Sequence, residues 1–182
     1  MTPPYDLSIP GWMDESELQW LFDTASQMSS VVEIGCYQGR STFALLQGCK
    51  GPVYAVDTWQ DIMGNGERPH ALFMQNLESR IGFERVWNQL RTCAMKSADA
   101  AKAFDAVPFL MTGLDMVFVD GDHLEAAVAL DLELWTPKAR KLIAGHDYHN
   151  PTWPDVTTVV DRVFGSRVQN PTGMIWAVEV LP

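Results

Sequence analysis

The stretch Val31–Thr42, VVEIGCYQGRST, constrains the fold more than any other part of the chain. A short apolar run carrying one acid, Glu33, is broken by Gly35 and Gly39, and a helical pattern begins at Arg40. The order is strand, tight turn, helix start. Gly35 is free to take backbone angles that a Cβ forbids, and Gly39 leaves no side chain where a ligand would press on the backbone. The helix beyond offers unpaired N–H groups to an acidic or polar ligand. A nucleotide-like cofactor suits such a turn, although a plain strand-to-helix corner has the same pattern. The spacing E-x-G-x-x-x-G is neither the dinucleotide fingerprint nor the phosphate loop, which needs a lysine where Arg40 precedes Ser41.

Asp57 narrows the choice. It ends the next apolar run, Val53–Asp57, and an acid roughly twenty residues past the glycines at a second strand tip is placed to grip ribose hydroxyls. Two acids on neighbouring strand ends, Glu33 and Asp57, suit an uncharged ribose better than a pyrophosphate. This favours S-adenosylmethionine over NAD.

The rest of the chain alternates helical and strand patterns. Met1–Gly11, with three prolines, reads as an extended arm reaching to about residue 13. Asp14 and Glu17 form a capping pair ahead of the apolar stripe Leu18, Leu21, Phe22, Ala25 and Met28. A helix over Arg40–Gln47 stops at Gly48, and Trp59–His70 is a polar, glycine-containing loop that reads as a lid. A helix is expected from about Glu67 to Ile81, a strand over Val86–Cys93, and a helix capped by Ser97. Leu114–Val119 is the clearest buried strand and ends at DGDH, Asp120–His123. Leu124, Val128, Leu132 and Trp135 repeat at helical spacing. A fifth strand over Lys141–Ala144 ends at Gly145, His146, Asp147 and Tyr148. Pro154 opens the last helix, and Met174–Leu181 alternates like a final strand. Repeated strand–helix units predict a parallel sheet with right-handed crossovers and ligands at the strands' carboxyl ends. Glu33, Asp57, Ser97, Asp120 and Asp147 all fall there.

With 182 residues the chain reads as a single domain able to bury a substantial core. Its net charge of −10 argues against a nucleic-acid partner, and no apolar run is long enough to span a membrane. Three cysteines, odd in number and widely spaced, suggest reduced thiols and a cytoplasmic location. A homo-oligomer is compatible with everything read here.

The motifs EIGCYQGRST, VYAVDTW, DMVFVDGDH with the ELW that follows, and LIAGHDY together resemble the class I S-adenosylmethionine-dependent methyltransferases, near the macrolide-sugar and cephalosporin-type O-methyltransferases. The resemblance covers most of the chain between Val31 and Tyr148. It implies a Rossmann-like α/β fold: a mostly parallel seven-stranded sheet, last strand antiparallel, helices on both faces. It also places Glu33, Gly35 and Gly39 at the methionine end of the cofactor, Asp57 on its ribose and Ser97 near its adenine. The candidate cofactor residues are Glu33, Gly35, Tyr37, Gly39, Ser41, Asp57, Thr58, Trp59, Ser97 and Asp120.

Related metal-dependent enzymes hold Mg²⁺ between acids at the tips of the fourth and fifth strands, matched here by Asp120 and Asp147. They place a base three residues after the first acid, which is His123. Its ordinary pKa lies near neutrality. This chain departs from the pattern at the third ligand, where His146 stands. Imidazole suits Mn²⁺, Fe²⁺ or Zn²⁺ better than Mg²⁺. The expected metal set is Asp120, Asp147 and His146, with Trp59 and Trp153 as walls for a small-molecule or sugar acceptor. Two alternatives accompany this expectation: metal-independent O- or N-methylation, and a cofactor-binding module without methyl transfer. NAD-linked chemistry is least favoured.

Overall fold

The computed structural model describes residues 4–60, 69–107 and 113–180. Its strands are β1 (Val31–Ile34), β2 (Val53–Asp57), β3 (Leu90–Ala94), β4 (Leu114–Val119), β5 (Ala139–Gly145) and β6 (Trp176–Glu179). Its helices are α1 (Glu15–Ala25), α2 (Arg40–Gly48), α3 (Pro69–Ile81), α4 (Phe83–Gln89), α5 (Ser97–Asp105), α6 (Glu125–Trp135) and α7 (Pro154–Phe164).

The strands form one sheet in the order β3-β2-β1-β4-β5-β6. All neighbours pair in parallel except β5 and β6. Side chains alternate along each strand, so the sheet feeds two cores. Val31, Val53, Met116 and Phe118 pack with α1, α2 and α3 on one face. Val32, Val56, Val117 and Val119 pack with α5, α6 and α7 on the other. The helix starts follow local chemistry. Asp14 accepts from the Glu17 N–H at 3.0 Å while Glu17 accepts from the Asp14 N–H at 2.8 Å, the expected capping box.

The structure differs from the sequence expectation in several places. The sheet among the described residues has six strands, not seven. After α7 the chain passes a short 3-10 turn, and Gln169 makes a single antiparallel bridge to Ala177. Pro171 and Gly173 leave little there that can extend the ladder. The strand expected over Val86–Cys93 is α4 in its first part, because Val86 and Leu90 are buried at helical spacing while Trp87 faces out. Lys96 takes the N-cap position of α5, without a side-chain bond, so Ser97 is its first residue and not its cap. Residues 4–13 of the N-terminal arm form no helix or strand, yet Ile9 and Met13 are buried. The Arg40 guanidinium donates to the carbonyls of Leu7, Ile9 and Met13. The expected lid lies largely outside the described residues, with Trp59 and His70 on its flanks inside them. No described helix is long and apolar enough to cross a membrane.

Candidate active site

Strand order reverses between β1 and β4, and in sheets of this kind the crevice opens at the carboxyl ends beside that point. Backbone strain collects there. Tyr37, Trp59, Asp147 and His149 have φ of 45°, 44°, 60° and 60°, and all four follow the tips of β1, β2 or β5. Non-glycine residues in this region cost about 1–3 kcal/mol each and persist where surrounding contacts over-determine them.

The glycine turn is built differently from the expectation. Gly35 has φ +84°, and a Cβ there would sit 2.0 Å from the Asp120 carbonyl oxygen. Its bare backbone therefore lets the segments that follow β1 and β4 pass close together. In front of Gly39 stand Phe73 and Leu77 of α3, which would meet a Cβ at 3.1 and 3.3 Å. That missing side chain makes room for a helix. Asp57 closes the turn: Oδ2 accepts from the N–H groups of Cys36 and Tyr37 at 2.8 and 2.9 Å, and Oδ1 from Trp59 at 2.7 Å. A carboxylate has about four acceptor positions, so about one remains unfilled. Trp59 is buried and donates Nε1–H to the Tyr37 carbonyl at 3.0 Å, while Thr58 is exposed.

Beneath the turn Glu33 is fully buried. Its Oε2 accepts from Thr42 Oγ1 at 2.5 Å, and Oε1 has no hydrogen-bond partner among the described residues. Burial pushes its pKa up to about 7 against the hydroxyls of Ser41 and Thr42. Ser97 at the start of α5 donates to Asp131 Oδ1 at 2.5 Å and accepts from Trp135 Nε1 at 2.8 Å. Asp131 escaped the sequence reading, although a lone acid on the stripe of Val128, Leu132 and Trp135 was a signal.

The densest polar cluster lies past β4 and β5. His123 Nε2 is 2.7 Å from Asp147 Oδ2 and 4.0 Å from Asp120 Oδ1. His146 Nδ1 is 3.4 Å from Asp147 Oδ2 and 3.7 Å from Asp120 Oδ1. The other nitrogen of His146 lies 3.1 Å from Glu17 Oε1. Asn150 donates to Asp147 Oδ1, and the His123 ring stacks on Trp153 at 4.7 Å. Asp120, His146 and Asp147 each present an atom within 4.8 Å of the others, a spacing able to hold a cation.

The electrostatics separate the two acids. Burial, with the charge of Asp147 beside it, pushes Asp120 up to about 7. Asp147 is also buried, but bonds from His123, His146 and Asn150 hold it well below the usual carboxylate range. Burial opposes charging of the histidines and their carboxylates overcome it, so His123 is raised and His146 reaches about 10. The structure thus brings His123, Asp120, Asp147 and His146 together as expected, and adds Glu17 and Asn150. Glu17 was legible only as a helix cap. A larger open groove, about 1080 Å³, lies by the amino ends of β2 and β3 between Lys50, Tyr54, Phe83 and Arg85, away from these groups.

Solved structures share this architecture at low identity. An O-methyltransferase from Bacillus cereus, in complex with SAH, is 16% identical with a TM-score of 0.64, covering 95% of this chain and 85% of its own. CalS11, a TDP-rhamnose 3′-O-methyltransferase of calicheamicin biosynthesis, is 15% identical with a TM-score of 0.65, covering 89% and 76%. The N-methyltransferase NodS from Bradyrhizobium japonicum WM9 is 14% identical with a TM-score of 0.60, covering 90% and 92%. The sequence has no significant match among curated proteins. Residues 32–148, which carry the glycine turn, Asp57 and the cluster from Asp120 to Asp147, match the methyltransferase domain family, and the chain belongs to that family.

Proposed function

We propose that this chain is a single-domain S-adenosylmethionine-dependent O-methyltransferase acting on a hydroxyl of a small molecule or sugar. The observation that carries the reading is the placement of the Asp120–His123–Asp147 cluster one strand from the glycine turn, with Gly35 packed against the Asp120 backbone. The unpartnered Glu33 oxygen fits the cofactor: a buried acceptor without a donor lies under the turn where the cofactor's methionine ammonium is expected. When bound, S-adenosylmethionine supplies an electrophilic methyl group on sulfur.

The chain's own residues then have to align an acceptor oxygen and remove its proton. His123 donates Nε2–H to Asp147, which leaves Nδ1 as the proton acceptor and raises its basicity. Trp153, stacked on that ring and partly exposed, walls the acceptor side. Asp120, Asp147 and the Nδ1 of His146 form a mixed oxygen and nitrogen donor set that would hold a divalent cation, which lowers the pKa of a bound hydroxyl. The likeness to the O-methyltransferase structures supports oxygen as the acceptor atom. NodS, an N-methyltransferase of the same fold, keeps nitrogen as the comparison case.

A second reading is metal-independent transfer. A protonated His146 lies within 3.4 and 3.7 Å of Asp147 and Asp120 and offsets part of their charge without a metal. Activity that survives EDTA would select it. The net charge of −10 disfavours nucleic-acid acceptors, and three free cysteines fit a reducing cytoplasm. Calorimetric titration with S-adenosylhomocysteine tests the core of the proposal. We expect binding that weakens at least tenfold in Asp57→Ala. A protein that ignores S-adenosylhomocysteine at millimolar concentration overturns the proposal.

A further inference from the structure

Glu17 does more than a capping residue requires. The glutamate of a capping box works on the surface, but this one is only 2% exposed. Its carboxylate has three donors: the Asp14 N–H on Oε2 at 2.8 Å, the Met174 N–H on Oε1 at 2.8 Å, and His146 Nε2 on Oε1 at 3.1 Å. The chain makes room for it at Gly173, where a Cβ would stand 2.5 Å from Oε1. Two segments distant in sequence thus join the local helix cap on one buried carboxylate.

An ionised carboxylate only accepts, so the Nε2 facing it carries the proton, and a cation at the site would displace the proton that Nδ1 otherwise shares with Asp147. Nδ1 is thereby turned toward Asp120 and Asp147. A carboxylate behind a ligating histidine fixes the ring and strengthens the nitrogen as a donor. Magnesium prefers oxygen ligands and retained water, whereas imidazole nitrogen suits the first-row transition ions. We infer that Glu17 is a positioning residue that holds His146 with Nδ1 toward the cation, and that the pair makes the site select Mn²⁺ or a later first-row ion over Mg²⁺. This rests on the divalent-site reading above.

The test is calorimetric titration of metal-free protein with Mn²⁺ and Mg²⁺, in wild type, Glu17→Gln and His146→Asp, together with the visible spectrum of the Co²⁺ form. In wild type we expect Mn²⁺ to bind at least tenfold tighter than Mg²⁺. Glu17→Gln should lose about 10- to 100-fold in Mn²⁺ affinity and shift the Co²⁺ bands, with S-adenosylhomocysteine binding unchanged. His146→Asp should narrow or reverse the preference. If wild type binds Mn²⁺ but Glu17→Gln matches it in affinity and spectrum, Glu17 is a cap alone and the inference fails while the metal reading stands. If wild type binds no divalent ion, both fail together. Should Glu17→Gln not fold, the ¹⁵N shifts of His146 in wild type decide. Proton on Nε2 with Nδ1 perturbed by Zn²⁺ is the expected result, and the opposite tautomer overturns the inference.

Discussion

Strand β4 has a buried acid at its beginning, Asp115, and another acid just past its end, Asp120, and the protein treats them in opposite ways. Asp115 is surrounded by donors. It accepts from Ser29 N and Oγ at 2.8 and 2.7 Å and pairs with Arg140 and Lys141 at 2.5 and 2.8 Å. Although burial opposes ionisation, these bonds hold its pKa well below the usual carboxylate range. Asp120 has no arginine or lysine partner among the described residues, only two imidazoles at 3.7 and 4.0 Å, and burial beside other acids raises it to about 7. One end of the strand therefore spends its polar contacts on tying β1, β4 and β5 together. The other end leaves a carboxylate under-satisfied, which is how charged groups intended for a ligand are kept available.

The sharpest way to break this contrast is to remove a group from each end. His123→Ala is expected to lower kcat on a cognate acceptor by about 10²–10⁴-fold, the usual value of a general base, while leaving urea stability near wild type. A variant with normal turnover would take His123 out of the chemistry. Asp115→Ala should do the reverse, costing about 3 kcal/mol of stability at pH 7 through lost bonds to a buried charge, with S-adenosylhomocysteine affinity unchanged. A stability loss under about 1 kcal/mol would mean that the two exposed cations and Ser29 re-solvate freely.

The pH response sharpens the comparison further. For Asp115 the folded pKa is depressed, so its contribution is present above the unfolded value of 3.8 and is lost as pH falls below it. For Asp120 the folded pKa is raised from 3.8 to about 7, so the native state holds the extra proton and stability declines as pH rises through that window. Asp120→Asn, measured by denaturation in EDTA, should remove the decline and gain about 1–3 kcal/mol above pH 7. An unchanged pH profile would show that the neighbouring imidazoles fully compensate this acid. The smallest effect is expected from Trp153→Ala. Losing a stacked ring is worth about 0.5–1.5 kcal/mol, which should appear as a several-fold rise in acceptor KM, with cofactor affinity intact.

Much of this was legible in the chain. The apolar runs that carry Glu33, end in Asp57 and precede Asp120 and Asp147 marked the strands β1, β2, β4 and β5 and their carboxyl ends, because a strand buried on both faces is mostly apolar until it leaves the sheet. The weaker pattern at Val86–Gln89 misled, since four residues of mixed polarity fit both periods and α4 took them at helical spacing. Ser97 was placed in the right region but with a different duty, bound to Asp131 and Trp135 instead of capping α5. The glycine turn was recognised while its physical cause was not. Gly35 answers to the Asp120 carbonyl and Gly39 to Phe73 and Leu77, neighbours that lie far along the chain.

By itself the sequence determined the α/β alternation, the capping box at Asp14 and Glu17, and the set of polar residues at the strand tips. Each of these depends on periodicity or on contacts within a few residues. Only the tertiary structure decided that Glu17 lies behind His146, that His123 is paired to Asp147, and that the pKa of Asp115 is held below and that of Asp120 above the usual carboxylate range. Those outcomes depend on burial and on partners 129, 24 and 25 or 26 positions away, and desolvation and charge pairing are set by distance in space, which no local pattern of residues encodes.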